Sequence, residues 1–399
     1  MDEYFTQLGQ TVFDRWKAVN FSLAKFPEIA VASFNAQPPA ENVDVPRIIR
    51  EFLLDDAQPF QTQSGFGEPE LVVFDNPRFY IQLLFWLEGT TDIHQHKFSG
   101  AFHVLTGSSI HSRFVFEDAQ SITAHLRVGQ LQMLDTQLLP TGTTVPIVSG
   151  SGQIHSLFHL DTPSISVVIR THSDPGTGPQ FTYLPPHLAV DPFQNDALTT
   201  RRKQLLDVLE KTNDPDYPEL VAEMLASLDF ERGLFTLQNC IGHLRSLGAW
   251  DECLRIFQKK HGRLARYVAP TLDEIVRRDR LVVLRRSIGE VEHRFFLALL
   301  LNVPTRKDIL EMVAQRFSAP ALQTVFRWVA EIAELSSYST WILDAEIPET
   351  IAEKYDLEAI LAAFRHLATP RPGKSPMPKA DLALLREAFL KSSFRALLV

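Results

Sequence analysis

The most informative segment of the sequence is Arg78-Phe-Tyr-Ile-Gln-Leu-Leu-Phe-Trp-Leu-Glu-Gly89-Thr-Thr-Asp-Ile-His94-Gln-His96. A strongly apolar segment ends at Gly89, which allows a tight turn, and two histidines separated by one residue follow. Because alternate side chains of an extended chain share a face, His94 and His96 are expected to point the same way. Two imidazoles on adjacent pleats of one face can reach one metal ion.

A third metal-binding nitrogen is expected from a distant strand, and the best candidate is His155. It follows the glycine-rich turn Gly150-Ser-Gly152 and opens a strand that continues to His159. A single histidine in a barrel is more often a hydrogen-bonded core residue than a ligand, and an isolated His-x-His pair is common by chance. The combination of both patterns within a region of strands favours a metal site on the three histidines.

The region from residue 70 to 184 predicts a β-sandwich or a barrel. About ten short segments rich in Val, Ile, Phe and Thr alternate with turn residues, and no helix is indicated between them. The predicted strands are Leu71–Phe74, Phe79–Leu87, Ala101–Leu105, Ser109–Phe116, Ser121–Val128, Gln130–Leu134, Thr144–Val148, Gln153–Leu160, Ser164–Thr171 and Phe181–Leu184.

Helical periodicity flanks this region on both sides. Five apolar residues recur at three- and four-residue spacing, namely Phe5, Leu8, Val12, Trp16 and Val19. After a proline-rich connector over 173–200, the helical pattern returns and continues to the end of the chain, as expected for an all-α domain. We therefore predict an α+β multidomain protein with a helical segment over 1–60, a β-barrel metal-binding domain over 61–190 and an all-α domain over 195–399.

The charge distribution bears on the class of partner. The formal net charge is −9, and residues 1–190 carry all of it, with 10 Lys and Arg against 19 Asp and Glu. An acidic surface disfavours nucleic acid and anionic membranes as partners of that half. The basic stretch from Arg277 to Arg286 is interpreted as a solvated helix face that pairs with nearby acids.

Other features favour a cytoplasmic protein. The two cysteines, Cys240 and Cys253, do not suggest a disulfide framework or a zinc cluster, so a reducing compartment is expected. The start of the chain lacks the positive charge and apolar run of a signal peptide. The most apolar stretch, Phe295 to Val303, is too short to cross a bilayer.

With these motifs the sequence resembles the cupin superfamily. That superfamily has the motifs Gly-x(5)-His-x-His-x(3,4)-Glu-x(6)-Gly and Gly-x(5,7)-Pro-x-Gly-x(2)-His-x(3)-Asn. The first motif is matched, with a spacing one residue short after the glycine, by Gly89, His94, His96 and Gly107. The second is matched by Gly142, Gly152, His155 and, loosely, His159 at the Asn position. The resemblance implies a double-stranded β-helix barrel.

Within the cupins the sequence looks most like the cysteine dioxygenase-type thiol dioxygenases, over roughly residues 65–175. The first-motif Glu is absent, because Gly100 and Ala101 occupy its place. This agrees with the three-histidine iron site of thiol dioxygenases and weakens an oxalate-degrading or sugar-isomerase interpretation. The Arg that binds the substrate carboxylate in cysteine enzymes is also missing, since Pro69-Glu70 stands there, so cysteine itself is a doubtful substrate.

The resemblance implies a mononuclear Fe(II) centre, although histidine ligands also suit Ni, Co, Cu or Zn. Three neutral imidazoles leave the +2 charge of the ion uncompensated, which favours an anionic, chelating substrate. The expected activity is that of an oxygenase acting with O₂ on a small thiol or amino-acid-like molecule, without 2-oxoglutarate.

Three further residues are candidates for catalytic roles. If Ala101 faces the barrel lumen, His103 does as well, and it could act as a fourth ligand or an acid–base group. His159 shares the face of His155 and could orient a ligand or substrate. Arg170 ends the last long strand and could bind a substrate carboxylate. Structural or exposed positions are expected for His111, His125, His172 and His187, and the orientation of Tyr80 and Gln82 is left open.

Two alternative functions are left open by the sequence. One is a non-catalytic metal- or ligand-binding cupin whose helical half docks a partner. The other is a metal-dependent isomerase or lyase that needs no O₂. The helical domain could cap the barrel, form a homodimer interface, or bind a carrier or peptide.

Overall fold

The computed structural model describes residues 3–55, 59–61, 66–87, 92–194, 196–335, 341–342, 345–369 and 375–399. The chain forms two compact units, which comprise Met1–Asp135 with Leu139–Ile275 and Thr136–Leu138 with Val276–Val399. Gly89 of the first motif lies outside the described residues. The predicted domain boundaries stay predictions.

The N-terminal segment is helical, as its periodicity predicts. Four of the five predicted apolar positions, Phe5, Leu8, Val12 and Trp16, are buried, whereas Val19 follows the end of the first helix and is 39% exposed. Proline at the start of three of these helices fixes a helical φ where no intrahelical N–H is needed. The helices are α1 (Glu3–Ala18), α2 (Phe26–Ala36), α3 (Pro39–Asn42) and α4 (Val45–Leu54), with a 3₁₀ turn at Leu23–Lys25.

Eleven strands follow within the described part of this unit, and their named pairings are antiparallel. A five-stranded sheet has the order β1-β2-β9-β4-β7, and the order β10-β11-β6-β5-β8-β3 closes a barrel. The strands are β1 (Glu70–Asp75), β2 (Phe79–Trp86), β3 (Ile93–His96), β4 (Gly100–Thr106), β5 (Ser109–Ser121), β6 (Leu126–Leu139), β7 (Thr144–Ile147), β8 (Gly150–His159), β9 (Ser164–Thr171), β10 (Thr182–Leu184) and β11 (Leu188–Val190).

The two faces of the five-stranded sheet have different partners. One face carries Ala101, Val167 and Ile169 and packs against buried residues of α1 and α2. The other face carries Phe102 and Val168 and joins a second apolar cluster with residues of β8. Because neighbouring residues of a strand alternate between faces, this packing decides which side chains reach the interior.

The remainder of the chain is mostly helical. At the start of several helices, among them α5, α7, α11 and α14, an aspartate or threonine side chain accepts a hydrogen bond from a free backbone N–H group. The helices are α5 (Ala197–Lys211), α6 (Tyr217–Ser227), α7 (Phe230–Ser246), α8 (Trp250–His261), α9 (Val268–Ser287), α10 (Val291–Asn302), α11 (Arg306–Arg316), α12 (Ala321–Leu335), α13 (Glu349–Ala352), α14 (Leu357–Ala368) and α15 (Lys379–Lys391). Short 3₁₀ turns cover Gly262–Tyr267 and Arg395–Leu398, and β12 (Trp341–Ile342) pairs with β13 (Ala345–Glu346).

The predicted fold class is confirmed. Short helices precede a barrel with the strand arrangement of a cupin, and a helical region follows it. Among the described helices, none combines the length and the apolar character that a membrane span requires.

The basic stretch in α9 differs from its predicted solvated state. Arg277 and Arg285 are 7% and 6% exposed. Arg277 donates to the carbonyl oxygen of Leu300, and Arg285 donates to that of Arg294. These guanidinium groups satisfy backbone acceptors in the second unit, so they are not simply a solvated charge run.

Candidate metal centre

The three predicted histidines lie on two neighbouring strands. His94 and His96 are in β3, His155 is in β8, and His94 stands opposite His155 in the register. The register shifts before His96, which stands opposite Gly150. Gly150 has a φ of +76°, a backbone conformation that favours glycine. The irregular start of β8 therefore explains why a glycine stands at this position.

The imidazoles converge on one point. The Nε2 atoms of His96 and His155 are 2.8 Å apart, and the His94 ring centroid is 4.6 Å and 4.9 Å from the other two. One ligand nitrogen from each residue lies within 4.8 Å of the others. Nitrogens about 2.1 Å from one ion and at right angles are about 3 Å apart, so the spacing suits a single metal. Within the described ranges this is the one such group of His, Cys, Asp or Glu side chains.

The protonation of the cluster also suits a metal. All three histidines are buried, and burial lowers the pKa of His94 and holds the pKa values of His96 and His155 well below the usual range. The neutral imidazole is the form that binds a metal. His94 Nδ1 donates to the Asp92 carbonyl oxygen at 2.7 Å, which leaves the Nε2 lone pair free.

One buried polar atom in the cluster lacks a partner that a metal would supply. His94 Nε2 is buried and makes no hydrogen bond within the part of the chain that the structure describes. An unsatisfied buried polar atom costs about 1–3 kcal/mol, so it calls for an explanation such as an ion. The residues therefore fit a divalent metal held by three neutral nitrogens.

Residues behind the cluster hold its strand in place. Gln95, between the two β3 histidines, points away from them, and its Oε1 accepts from Tyr183 Oη at 2.6 Å. Its Nε2 donates to the Pro179 carbonyl oxygen at 3.0 Å. On the other side, His111 Nε2 lies 2.9 Å from His155 Nδ1. No functional role was predicted for His111, because a single histidine on a strand carries no sequence signal of what it faces.

The histidines line a small pocket inside the barrel. Its cavity volume is about 50 Å³. A water-sized group needs roughly 10–15 Å³ on this measure, so the cavity holds about three to five such groups. The walls are mostly apolar and aromatic, and the lining residues are Phe66, Gln82, Leu84, Trp86, His94, His96, Phe98, Phe102, Ile147, His155, Leu157, Ser166, Val168 and Arg170.

Arg170 lies in the wall of this pocket. Its side chain is stacked over Phe98, with Cζ 3.3 Å from the ring centroid, and its buried Nη1 has no hydrogen-bond partner among the residues that the structure describes. Burial lowers its pKa to about 10, which still leaves it charged at neutral pH. The nearby Asp174 carboxylate accepts hydrogen bonds from the hydroxyls of Ser99 and Thr171. Arg170 therefore presents a cationic donor to the pocket.

Gln82 is a pocket residue whose orientation the sequence left open. It is 1% exposed, and its Oε1 makes no hydrogen bond to any described residue. Tyr80 shares its face of β2, and its ring centroid lies 5.1 Å from Arg170 Cζ. Since Gln82 pairs with Val168 on β9, it is a diagonal neighbour of Arg170 on the same face.

His103 does not line the pocket, because Ala101 faces the helices and the condition on which the candidate role of His103 rested is not met. Phe102 lines the pocket, and strand alternation therefore directs Ala101 and His103 to the opposite face. There the His103 ring packs 5.6 Å from that of Phe34, and its Nδ1 lies 2.8 Å from Thr144 Oγ1.

His159 lies on the same face of β8 as His155, but it contacts different residues. Its ring stacks on Trp86 at 4.3 Å, and its Nδ1 lies 3.0 Å from Ser109 Oγ. It lies four positions beyond His155 on the strand, which is about 13 Å along the chain. This distance excludes direct ligation beside His155, and its predicted orienting role stays a prediction.

The backbone packing at Gly100 explains why no carboxylate stands at the position of the first-motif Glu. A Cβ built on Gly100 would lie 1.9 Å from the Ile169 carbonyl oxygen. No side chain is compatible with so close a backbone approach, and Ala101 faces the helices. Neither of the two positions aligned with the cupin Glu can therefore supply a fourth ligand.

Comparisons with known proteins give remote similarities only. No family model matches the sequence, and no curated protein matches it significantly. Among solved structures, hydroquinone 1,2-dioxygenase from Sphingomonas sp. TTNP3 is 11% identical with a TM-score of 0.21, over 27% of this chain and 68% of that one. A cupin-2 domain protein from Shewanella frigidimarina NCIMB 400 is 16% identical with a TM-score of 0.19, over 32% and 93%.

A third similar structure is the DMSP lyase DddQ from Ruegeria pomeroyi DSS-3. It is 14% identical with a TM-score of 0.21, over 43% of this chain and 94% of that one. Similarities of this size carry no argument about activity. The class of protein is defined by the chain's own structure, which is a cupin-type barrel with a buried three-histidine cluster.

Proposed function

We propose that this protein is a mononuclear non-heme Fe(II)-dependent oxygenase. Its substrate is a small anionic, chelating molecule of the thiol or amino-acid-like type. The main observation behind the proposal is that a neutral three-histidine cluster and the charged Arg170 lie in one buried pocket, and that no described residue accepts a hydrogen bond from Arg170 Nη1. His94, His96 and His155 would hold the metal.

Three histidine ligands would leave the metal site with a net positive charge. Three neutral imidazoles leave both positive charges of a divalent ion uncompensated, whereas a carboxylate ligand would cancel one. A bound ferrous ion would supply open positions for a bidentate substrate and O₂, with the electrons coming from the substrate. Iron rests on the resemblance to the thiol dioxygenases, because the same nitrogens suit other divalent metals.

The pocket residues support a substrate with a carboxylate. Arg170 would bind that group through Nη1, since a buried guanidinium is stabilised by a fixed anion. Gln82 Oε1 would accept a hydrogen bond from a donor group of the same molecule. The apolar walls exclude water, and the cavity of about 50 Å³ limits the size of the substrate to a few heavy atoms.

Oxygen consumption tests the proposal. The full chain is prepared without oxygen, loaded with Fe(II) and mixed with a panel of small thiols, amino acids and hydroxy acids, and O₂ uptake is recorded. We expect uptake that needs both Fe(II) and one class of carboxylate substrate. Metal binding without O₂ uptake across the panel supports a non-catalytic binding protein instead, and turnover without O₂ supports an isomerase or lyase.

A further inference from the structure

His111 occupies a position from which it can control one of the candidate ligands. It is fully buried on β5, and its register partner on β8 is Leu157, two residues from His155. The rings of His111 and His155 are nearly perpendicular, with centroids 5.1 Å apart. The two nitrogens that face each other, His111 Nε2 and His155 Nδ1, are 2.9 Å apart, which is a hydrogen-bond distance.

The tautomers follow from this geometry. His155 Nε2 lies 2.8 Å from His96 Nε2, so Nε2 is the nitrogen that faces the cluster. When Nε2 binds a metal, the remaining ring proton of His155 is on Nδ1 and is donated to His111 Nε2. A metal-binding histidine usually donates this proton to a carboxylate, a carbonyl group or water, and such partners fix the orientation of the ring.

We propose that His111 is a positioning residue of the metal site, acting by accepting the Nδ1 proton of His155. This inference rests on the metal site of the proposed function. His111 fixes the ring so that Nε2 faces His94 and His96. Its neutral imidazole also orients the ligand without adding the negative charge of a carboxylate, which preserves the attraction of the site for an anionic substrate.

The test compares Co(II) affinity among variants of the full chain, measured by competition with a chromophoric chelator. His111→Leu removes the acceptor and is expected to weaken binding by 10–100-fold. His111→Gln places an amide oxygen near the position of Nε2 and is expected to restore affinity to within a few fold of wild type. His111→Asn keeps a polar side chain that is too short to reach, so we expect a loss similar to that of His111→Leu.

His103→Leu is the matched control. His103 is equally buried, but it lies on the helix-facing side of β4 and bonds to Thr144, so its replacement leaves Co(II) affinity unchanged. The absorption bands of bound Co(II) provide a second readout, because they report the ligand geometry directly. They shift in His111→Leu and His111→Asn and return in His111→Gln.

The outcomes separate the two proposals. Equal affinity in wild type, His111→Leu and His111→Asn overturns the positioning role, as does a His111→Gln variant no better than His111→Asn. If His94→Ala and His155→Ala also bind Co(II) like wild type, the metal site itself is wrong. If those two variants lose the metal while His111 variants keep it, only the inference about His111 fails.

Discussion

His96 Nε2 lies 2.8 Å from His155 Nε2, although 59 residues separate them in the sequence. The two ring nitrogens face each other, and the buried Nε2 of His94 has no hydrogen-bond partner among the described residues. The barrel therefore brings one ring nitrogen from each of the three histidines together in a pocket that also contains Arg170.

Arg170→Gln is expected to weaken substrate binding while metal content stays the same. Removing a charge-assisted hydrogen bond costs about 1.5–3 kcal/mol, which corresponds to a rise in KM of roughly 10- to 150-fold. The measurement is KM on the best substrate of the panel, together with iron content. Arg113→Gln is the control, because Arg113 is half-exposed and pairs with Asp135 outside the pocket. A KM unchanged by Arg170→Gln would show that Arg170 does not bind the substrate.

Gln82→Leu is expected to stabilise the fold and impair turnover. Gln82 Oε1 is buried and has no partner in the described part of the chain, and replacing an unsatisfied polar atom by an apolar one removes a cost of about 1–3 kcal/mol. The measurements are the free energy of unfolding in urea and the rate of O₂ uptake.

The comparison for this prediction is Gln153→Leu. Gln153 Oε1 accepts from the backbone N–H of Val148, and its Nε2 donates to the Pro146 carbonyl oxygen. Its loss is therefore expected to destabilise the protein. Destabilisation by Gln82→Leu would contradict the predicted gain in stability, and unchanged turnover would show that Gln82 takes no part in the reaction.

His159 is expected to make the protein sensitive to acid. Burial lowers its pKa to about 3 from an ordinary value of 6.5. The unfolded chain therefore binds the extra proton between these two values, and stability is complete above pH 6.5 and falls as the pH drops toward 3. One such proton contributes a slope of about 1.4 kcal/mol per pH unit. Urea unfolding of wild type and His159→Leu, with chelator present, measures it.

The two proteins should show the same pH dependence above pH 7, where no extra proton is bound. Below pH 6 the His159→Leu variant should lose stability less steeply, by the slope of one proton. Parallel curves down to pH 4 would mean that His159 is not held neutral by burial.

The sequence predicted the fold class and the three convergent histidines because these depend on local patterns. The alternation of His94 and His96 required only an extended chain. Strand Ser164–Thr171 has the bounds that its apolar run predicts. Three predicted strands between residues 109 and 134 instead form one long hairpin, Ser109–Ser121 with Leu126–Leu139, because exposed polar residues extend both strands beyond their apolar parts.

The sequence did not predict which face of each strand is internal. Both faces of β4 are buried, one by helices and one by the barrel, so burial alone could not assign His103. The same limit applies to Gln82 and His111, whose roles depend on contacts with β9 and β8. Only the packing of α1 and α2 on the outer face resolves this ambiguity.

Metal analysis of protein purified without oxygen is the decisive test of the three-histidine site. We expect about one metal ion per chain in wild type and its loss in both His94→Ala and His155→Ala, while His103→Leu keeps it. The folding of each variant is checked by circular dichroism. If His94→Ala and His155→Ala are folded and each retains the full metal content, the three-histidine site is contradicted.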